Sequence, residues 1–534
     1  MISGAARAQY FEPADAVSAT PTKKPISLLQ YSPALVLLLV AIVDSQRYAD
    51  PDLWGHVRFG QEMLRQGHLT LRDPYSYSAP GHLWLNHEWL TEVLMGWLYN
   101  HFGTIGLKLL KFGCSAGVVL FLVEGMTEAG TAPVIQLIVL TAAAVTLALQ
   151  VQFRPQLFTF VFLSALLAIL ARFNYRGSAR VWLSIPILAL WANLHGGFIM
   201  GLATLGTFSV VVLTQDVLAA RGTRRGLRLL GITAASAIAT LATPYGIGTW
   251  QAVLHALANP VTRTNISDWQ PMTTVLLAQV RDFDPSCFYI LLGLGLFIAL
   301  CVTYGLTPGG DLPLLLIAGV MVVAAFASIR NLPLAVIATT TPLSRHLDHA
   351  LEVRRERKGL PAELVREPWS RFHQTIVVAI ALTLMLVNGL LSNKLVTDGS
   401  FPVGAVSFMK KHHLQGNILV NFGWGEYIIW HLAPSSKVSI DGRYDTVYPP
   451  DVIKGYISFH YATPGAKEFF AHYPHQFLLF SSDSRALNIA STDTRWKKLY
   501  SDDTCSLYGK VNPEIEKIEA VKVDKASTPK SYFP

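Results

Sequence analysis

The sequence predicts an α-helical polytopic membrane protein with about 11 transmembrane helices, interfacial helices in its first exoplasmic loop, and a small C-terminal soluble α/β domain. Three observations predict it. Of 534 residues, 51% are hydrophobic and only 15% are charged, and the mean hydropathy is +0.37, the profile of a chain that meets lipid rather than water. Apolar runs approaching the roughly 20 residues that cross a bilayer recur before position 392. From Phe401 onward the pattern becomes that of alternating short strands and helices.

Residues 1–27 read as a cytoplasmic tail carrying Arg7, Lys23 and Lys24. The first span, 28–44, runs into Asp44-Ser45-Gln46-Arg47 without a small-residue cleavage site, so it is read as uncleaved. Further spans are expected at 104–124, 132–150, 155–172, 180–194, 198–219, 227–243, 286–304, 312–329, 332–344 and 372–392, completing a membrane domain over 28–392. With the N-terminus inside, three inner loops collect arginine: Arg172, Arg176 and Arg180; Arg221, Arg224, Arg225 and Arg228; and Arg345, Arg354, Arg355, Arg357, Arg366 and Arg371. That is the positive-inside bias. The outer face receives loops 45–103 and 244–285, the turns at Arg154, His195 and Arg330, and everything after 392.

Within the first outer loop, Leu53–Gln66 and His87–His101 have helical spacing but are too polar and short to span. They read as helices lying in the interface, with Trp54, Trp84, Trp89 and Trp97 as anchors. Turn signals at Arg72-Asp73-Pro74 and Ala79-Pro80-Gly81 separate them. The soluble domain, 393–512, is expected to hold strands at 417–421, 437–441 and 476–480 and helices near 424–432, 451–459 and 483–490. The Lys-, Glu- and Pro-rich tail, 513–534, reads as mobile.

The net charge of +8 is explained by the inner loops, and no soluble segment interleaves a basic stripe with aromatics, which argues against nucleic-acid binding. Cys114, Cys287, Cys301 and Cys505 offer neither a disulfide framework nor a CxxC metal site.

The chemistry concentrates on the outer face. Asp50 and Asp52 follow the first span, where a carboxylate can deprotonate an acceptor hydroxyl or hold a divalent cation against a phosphate leaving group. The competing reading of Asp52 is an N-cap for the helix it precedes. His56, His87 and Glu88 form a second polar cluster for metal or sugar, without HExxH spacing, and a solvated surface is its plain alternative. Arg154 and Arg330 sit outside against the charge bias, suited to a phosphate through bidentate contacts or to anchoring and carboxylate pairing. Asn193 and His195, in Trp191-Ala192-Asn193-Leu194-His195-Gly196-Gly197, offer a hydrogen-bonding wall or a tight turn. Asp268 and Trp269 are candidates to meet a sugar. Asp441, Arg443 and Asp445 follow a strand end, where α/β domains bind ligands, yet read first as a solvated loop.

Together these features resemble the GT-C integral-membrane glycosyltransferases, which include the protein O-mannosyltransferases, the aminoarabinose transferases and many bacterial homologues. Asp50-Pro51-Asp52 stands where that superfamily keeps its acidic motif. Asp52-Leu53-Trp54-Gly55-His56, His87-Glu88-Trp89-Leu90, Phe153-Arg154-Pro155-Gln156 and the Trp191–Gly197 run are similar to the bacterial branch, as are Asn421-Phe422-Gly423-Trp424-Gly425-Glu426-Tyr427 and Ile440-Asp441-Gly442-Arg443 in the tail.

The resemblance implies a polyprenyl-phosphate-linked sugar as donor, a lipid, glycan or protein acceptor met on the exoplasmic side, one of Asp50 and Asp52 as base, and inversion at the sugar carbon. It leaves a divalent cation, Mg or Mn, open. A multi-pass location in a bacterial inner membrane follows as an expectation, with the C-terminal domain periplasmic. The rival readings are a lipid-linked glycan polymerase or ligase, a transporter or flippase, and a non-enzymatic assembly factor. The transporter reading suffers from the near absence of ionisable residues at mid-span.

Overall fold

A computed structural model describes residues 49–147, 150–259, 266–359, 379–380, 383, 395–396, 401–524 and 532–533. The N-terminal tail 1–27, the first span 28–44 and most of the last span 372–392 lie outside the described residues.

The first outer loop forms α1 (Leu53–Gln66), as its spacing predicts, and then an irregular segment leads into α2 (Trp89–Glu128). The expected second interfacial helix and the 104–124 span are two parts of this 40-residue element, broken at Gly103, whose φ of 59° and ψ of −145° take it out of the helix. Glycine adopts that conformation without the steric cost a Cβ would add. The membrane part continues through α3 (Pro133–Leu147), α4 (Gln156–Arg176), α5 (Ser184–Leu194), α6 (Phe198–Leu218) and α7 (Arg224–Ala239). Two helices of the second outer loop, α8 (Ile247–Ala258) and α9 (Met272–Arg281), precede α10 (Cys287–Leu306), α11 (Leu312–Ala327) and α12 (Leu332–Arg357). Among the described residues, α2, α4, α6 and α10 are long and apolar enough to cross a membrane, and α3, α11 and the stretch Ala179–Leu194 are shorter apolar helices.

The C-terminal part is a six-stranded mixed sheet. Its strands are β2 (Gly416–Val420), β3 (Ser436–Val438), β4 (Phe477–Ser481), β5 (Trp496–Ser501), β6 (Cys505–Lys510) and β7 (Val521–Lys522), in the order β3-β2-β4-β6-β5-β7. Helices α13 (Val403–Lys411), α14 (Gly425–Leu432), α15 (Pro450–His460) and α16 (Ala466–His472) pack with it. The three expected strands and the helices at 424–432 and 451–459 are present, each within a few residues. The β5–β6 hairpin was not expected. The tail is not wholly loose either: β7 pairs with β5, and β8 (Tyr532–Phe533) pairs with β1 (Leu395–Val396), putting Phe533 against Trp54, Tyr99 and Trp430.

The buried apolar residues fall into two clusters, one among the membrane helices and one outside them. The outer cluster joins Trp54, Val57, Phe59, Tyr75 and Trp84 of the first loop to the sheet and helices of the C-terminal part. The loop even extends the sheet: Val438 N–H donates to Tyr75 O and Tyr77 N–H to Val438 O, each at 3.1 Å. This overturns the interfacial role expected for two tryptophans. Trp54 and Trp84 are buried in protein, and Trp89 donates its indole N–H to Asn193, whereas Trp97 stays exposed.

Candidate functional site

The two acidic residues of the first loop do different work. Asp50 is buried, and both its oxygens are taken: Oδ1 accepts the Asp52 amide at 3.0 Å and Oδ2 lies 2.7 Å from Arg154 Nε. Asp52 occupies the N-cap position of α1, yet its side chain bonds no amide there. Its Oδ2 is 3.3 Å from Arg154 Nη2, and 31% of the side chain stays open, the rest being walled by protein. Burial in that wall raises its pKa, Arg154 lowers it and Asp50 raises it again, with a net rise from 3.8 to about 6.

Arg154 is the hub of this corner, because its Nη1 also meets Asp268 at 3.1 Å. Three carboxylates therefore surround one guanidinium. Arg330 is different: it lies over the Trp269 ring at 4.2 Å and has no ion pair within 4.0 Å among the described residues. The two loops are tied together beneath it, with Ser328 Oγ donating to Asp268 O and Ile329 N–H to Gln270 O, both at 3.0 Å.

Beside the acidic corner lies a histidine and glutamate network. His56 Nδ1 is 3.3 Å from Glu92 Oε1, and Asn86 donates to the other Glu92 oxygen at 2.5 Å. Burial alone would lower His56, but its bond to Glu92 and the charges of Glu88, Glu92 and Asp52 raise it to about 9. His195 is opposite in character. Trp191 Nε1 donates to Thr159 Oγ1, so Thr159 gives its own proton to His195 Nδ1 at 2.7 Å, and the Gly197 amide donates to the same nitrogen. The ring proton therefore sits on Nε2, 3.5 Å from Glu88 Oε1. Burial holds His195 neutral by lowering its pKa to about 3. Glu88 stays below its usual range against its burial, through His87, His195, His56 and Arg330, with His195 acting as a neutral N–H donor. Asn193 is fully committed to structure, accepting from Trp89 and donating to the Ala189 and Ala242 carbonyls. His87 Nε2 lies 3.8 Å from Glu88.

One nitrogen of His56 and one oxygen each of Glu88 and Glu92 lie within 4.8 Å of one another. An imidazole with two carboxylates suits Mn or Zn better than Mg, which favours six oxygens in near-octahedral array.

The sequence reading missed what the C-terminal part contributes. Glu426 Oε2 accepts the Gly55 amide of α1 at 3.0 Å. Arg443 donates to Asp73 Oδ1 of the first loop at 2.8 Å and to both oxygens of Asp441 at 2.8 and 2.7 Å. Its guanidinium faces Trp84, Tyr75 and Phe59 at 4.8, 5.0 and 5.2 Å. The Asp441–Arg443 run is thus neither solvated loop nor open ligand site, because both residues are buried against the first loop. The available signal was the pair of tail motifs, Gly-Trp-Gly-Glu426 and Asp441-Gly-Arg443, whose charges stand among apolar residues.

By sequence the chain matches no protein-family model and no curated protein. Among solved structures it is similar to the archaeal oligosaccharyltransferase AglB from Archaeoglobus fulgidus, in complex with an inhibitory peptide and a dolichol-phosphate. The TM-score is 0.55 at 12% identity, over 85% of this chain and 69% of that one. It is also similar to a variant of the arabinofuranosyltransferase AftD from Mycobacteria, with TM-score 0.50 and 16% identity, over 91% of this chain and 41% of that one. This chain has the GT-C fold. ArnT from Cupriavidus metallidurans in the apo state aligns over 90% of this chain and 97% of its own, with TM-score 0.48 and 13% identity. At these identities what is shared is the fold alone.

Proposed function

We propose that this protein is a membrane glycosyltransferase that moves a sugar from a polyprenyl-phosphate carrier to an acceptor on the exoplasmic face, and that Asp52 is its base. The observation that carries the reading is the contrast between the two loop carboxylates. Asp50 is sealed and fully bonded, whereas Asp52 stays partly open, is spared from capping, and has its pKa raised to about 6. A base poised near neutrality can both accept a proton and be ionised when the acceptor arrives. The acceptor oxygen attacks the anomeric carbon, its proton passes to Asp52, the carbon–oxygen bond to phosphate breaks, and the carrier phosphate leaves. A single displacement of this kind inverts the sugar carbon.

Arg330 receives the carrier phosphate in this reading. It is a cation that makes no ion pair within 4.0 Å among the described residues, with Asp268 and Glu88 near enough to act on it only through their charge. It is supported from below by Trp269, and guanidinium matches phosphate oxygens bidentately. Arg154 instead organises the carboxylates. The similarity in fold to AglB, whose structure holds a dolichol-phosphate, and the outward placement that the charge bias predicts for both loops support a carrier lipid entering from the bilayer. The cytoplasmic arginine loops support a periplasmic C-terminal domain.

A divalent cation of the Mn class would be held by His56, Glu88 and Glu92 and would offset charge on the leaving phosphate. Titration of Mn into the purified protein, repeated with His56→Ala, tests that assignment directly by binding heat. The reading as a whole is tested by turnover of a panel of polyprenyl-phosphate sugars with wild type, Asp50→Asn and Asp52→Asn. Donor binding without turnover in Asp52→Asn is the expected result, and no binding or turnover by wild type across the panel would return the protein to the transport or assembly readings.

A further inference from the structure

Helix α1 starts at a carboxylate that does not cap it. An Asp at the N-cap ordinarily bonds an amide of the first turn, and the first four amides of a helix have no partner within it. Here the Gly55 amide, third in the helix, is taken by Glu426 Oε2 at 3.0 Å, from a residue 371 positions away. The cap is supplied by the C-terminal domain.

Two glycines make this arrangement fit. A Cβ on Gly55 would lie 2.0 Å from Glu426 Oε2. A Cβ on Gly442 would lie 2.6 Å from Asp52 Oδ1 and 2.7 Å from Glu426 Oε1. The two carboxyl groups therefore converge over the Gly442 backbone, where a Cβ would force them to shift. The groups facing Glu426 are Asp52 from the loop, Glu92 from α2, and Asp441 and Arg443 from its own domain. Those facing Asp52, besides Glu426 itself, are Arg154, Asp50, His56 and Glu88. Burial first, then the charges of Asp52 and Asp441, push the Glu426 pKa well above its usual range.

We propose that Glu426 is a positioning residue of this site, lent by the C-terminal domain to cap α1 in place of Asp52, so that Asp52 is free to face the acceptor and transfer requires that domain to be docked. The proposal rests on the reading of Asp52 as base. Its physical content is a division of labour: one carboxyl group satisfies the helix end while the other stays available for proton transfer. A carboxyl group whose pKa is raised suits the first task, because a second anion there would repel the ionised Asp52.

The test compares Glu426→Gln and Glu426→Ala with wild type and Asp52→Asn in the full-length protein, on a donor that wild type turns over. Gln keeps the amide acceptor and the neutral charge, so kcat should stay within about threefold. Ala removes the cap and lets the first turn of α1 shift, which should lower kcat by about 100-fold while the donor KM holds. The acid limb of the rate profile should move down in Glu426→Ala as water reaches Asp52. Full kcat in Glu426→Ala overturns the proposal, as does a Gln variant as slow as Ala, which would make the proton itself the requirement. Should Glu426→Ala fail to fold, Gly55→Ala displaces the same carboxyl from the other side and should reproduce the kcat loss at unchanged donor KM; wild-type kcat there overturns the proposal equally. Asp52→Asn with full activity removes the base reading itself, whereas a silent Asp52→Asn beside an unaffected Glu426→Ala removes only the positioning role.

Discussion

Replacing Arg443 should undock the C-terminal domain from the first outer loop. Its guanidinium makes three bonds of 2.7–2.8 Å to Asp73 and Asp441, and the side chains involved are almost completely buried. Arg443→Ala leaves two anions without a cation in the interior. Removing one partner of a buried pair costs about 3–5 kcal/mol, and the three aromatic faces add only about 0.5–1 kcal/mol each. At 1.4 kcal/mol per tenfold, the opened fraction of the 67–83 segment should rise by about 100- to 4,000-fold. Arg443→Lys should rescue little, because one ammonium cannot bond both Asp441 oxygens and Asp73 in a plane. The assay is limited proteolysis of the 67–83 segment at low protease, where the cleavage rate follows the open population. A rate within threefold of wild type in Arg443→Ala would refute the clamp, and with it the premise that ion pairing, beyond the shared apolar core, fixes this interface.

Three further outcomes follow from the same geometry. Asp52→Asn should lower kcat by about 100- to 10,000-fold, and wild-type kcat/KM should rise with pH through about 6, the value set by burial of Asp52; a profile flat from pH 5 to 8 would contradict this. Arg330→Lys should raise the donor KM by about tenfold with little change in kcat, since the lost bidentate geometry acts in ground and transition states alike, and unchanged donor affinity would remove the phosphate assignment. Asp73 is held below its usual range by Arg443, Ser76 and the Tyr75 amide, against its own burial. A depressed carboxylate stabilises above its unfolded value of about 3.9 and loses that contribution as pH falls through the folded value. Proteolysis of 67–83 should therefore stay constant from pH 7 to about 4 and rise below it, and Asp73→Asn should abolish that dependence.

What could be read in advance was what depends on local pattern. Helix α1 at Leu53–Gln66, the strands at Gly416–Val420 and Phe477–Ser481, and helix α14 announce themselves by spacing and flanking glycines. The β5–β6 hairpin did not, because Lys497, Lys498 and the Asp502-Asp503-Thr504 turn dilute its apolar positions. Trp54 and Trp84 were legible as amphipathic-loop aromatics, but whether lipid or protein covers them depends on a domain more than 300 residues away. The same distance hid Glu426 and Arg443. Asp50 and Asp52 look equivalent in Asp-Pro-Asp, and only the direction from which Arg154 approaches makes one a fixed strut and the other an open carboxylate.

Arg154 decides between two accounts of this corner. If it holds the carrier phosphate, its loss should raise the donor KM and leave the pH profile in place. If it serves the carboxylates, as its contacts with Asp50, Asp52 and Asp268 indicate, its loss should act on Asp52. Arg154 lowers the Asp52 pKa against burial, so in Arg154→Gln that pKa must rise. An adjacent guanidinium moves a carboxylate by about 1–3 units, which puts the new acid limb at about pH 7 or above. The rate at pH 6 should fall by about fivefold or more and recover by pH 9, with the donor KM little changed. Recovery at high pH separates this from simple collapse of the loop, which no pH would repair. A limb that stays near 6 beside a raised donor KM would transfer Arg154 to the phosphate and leave Asp52 tuned by burial alone.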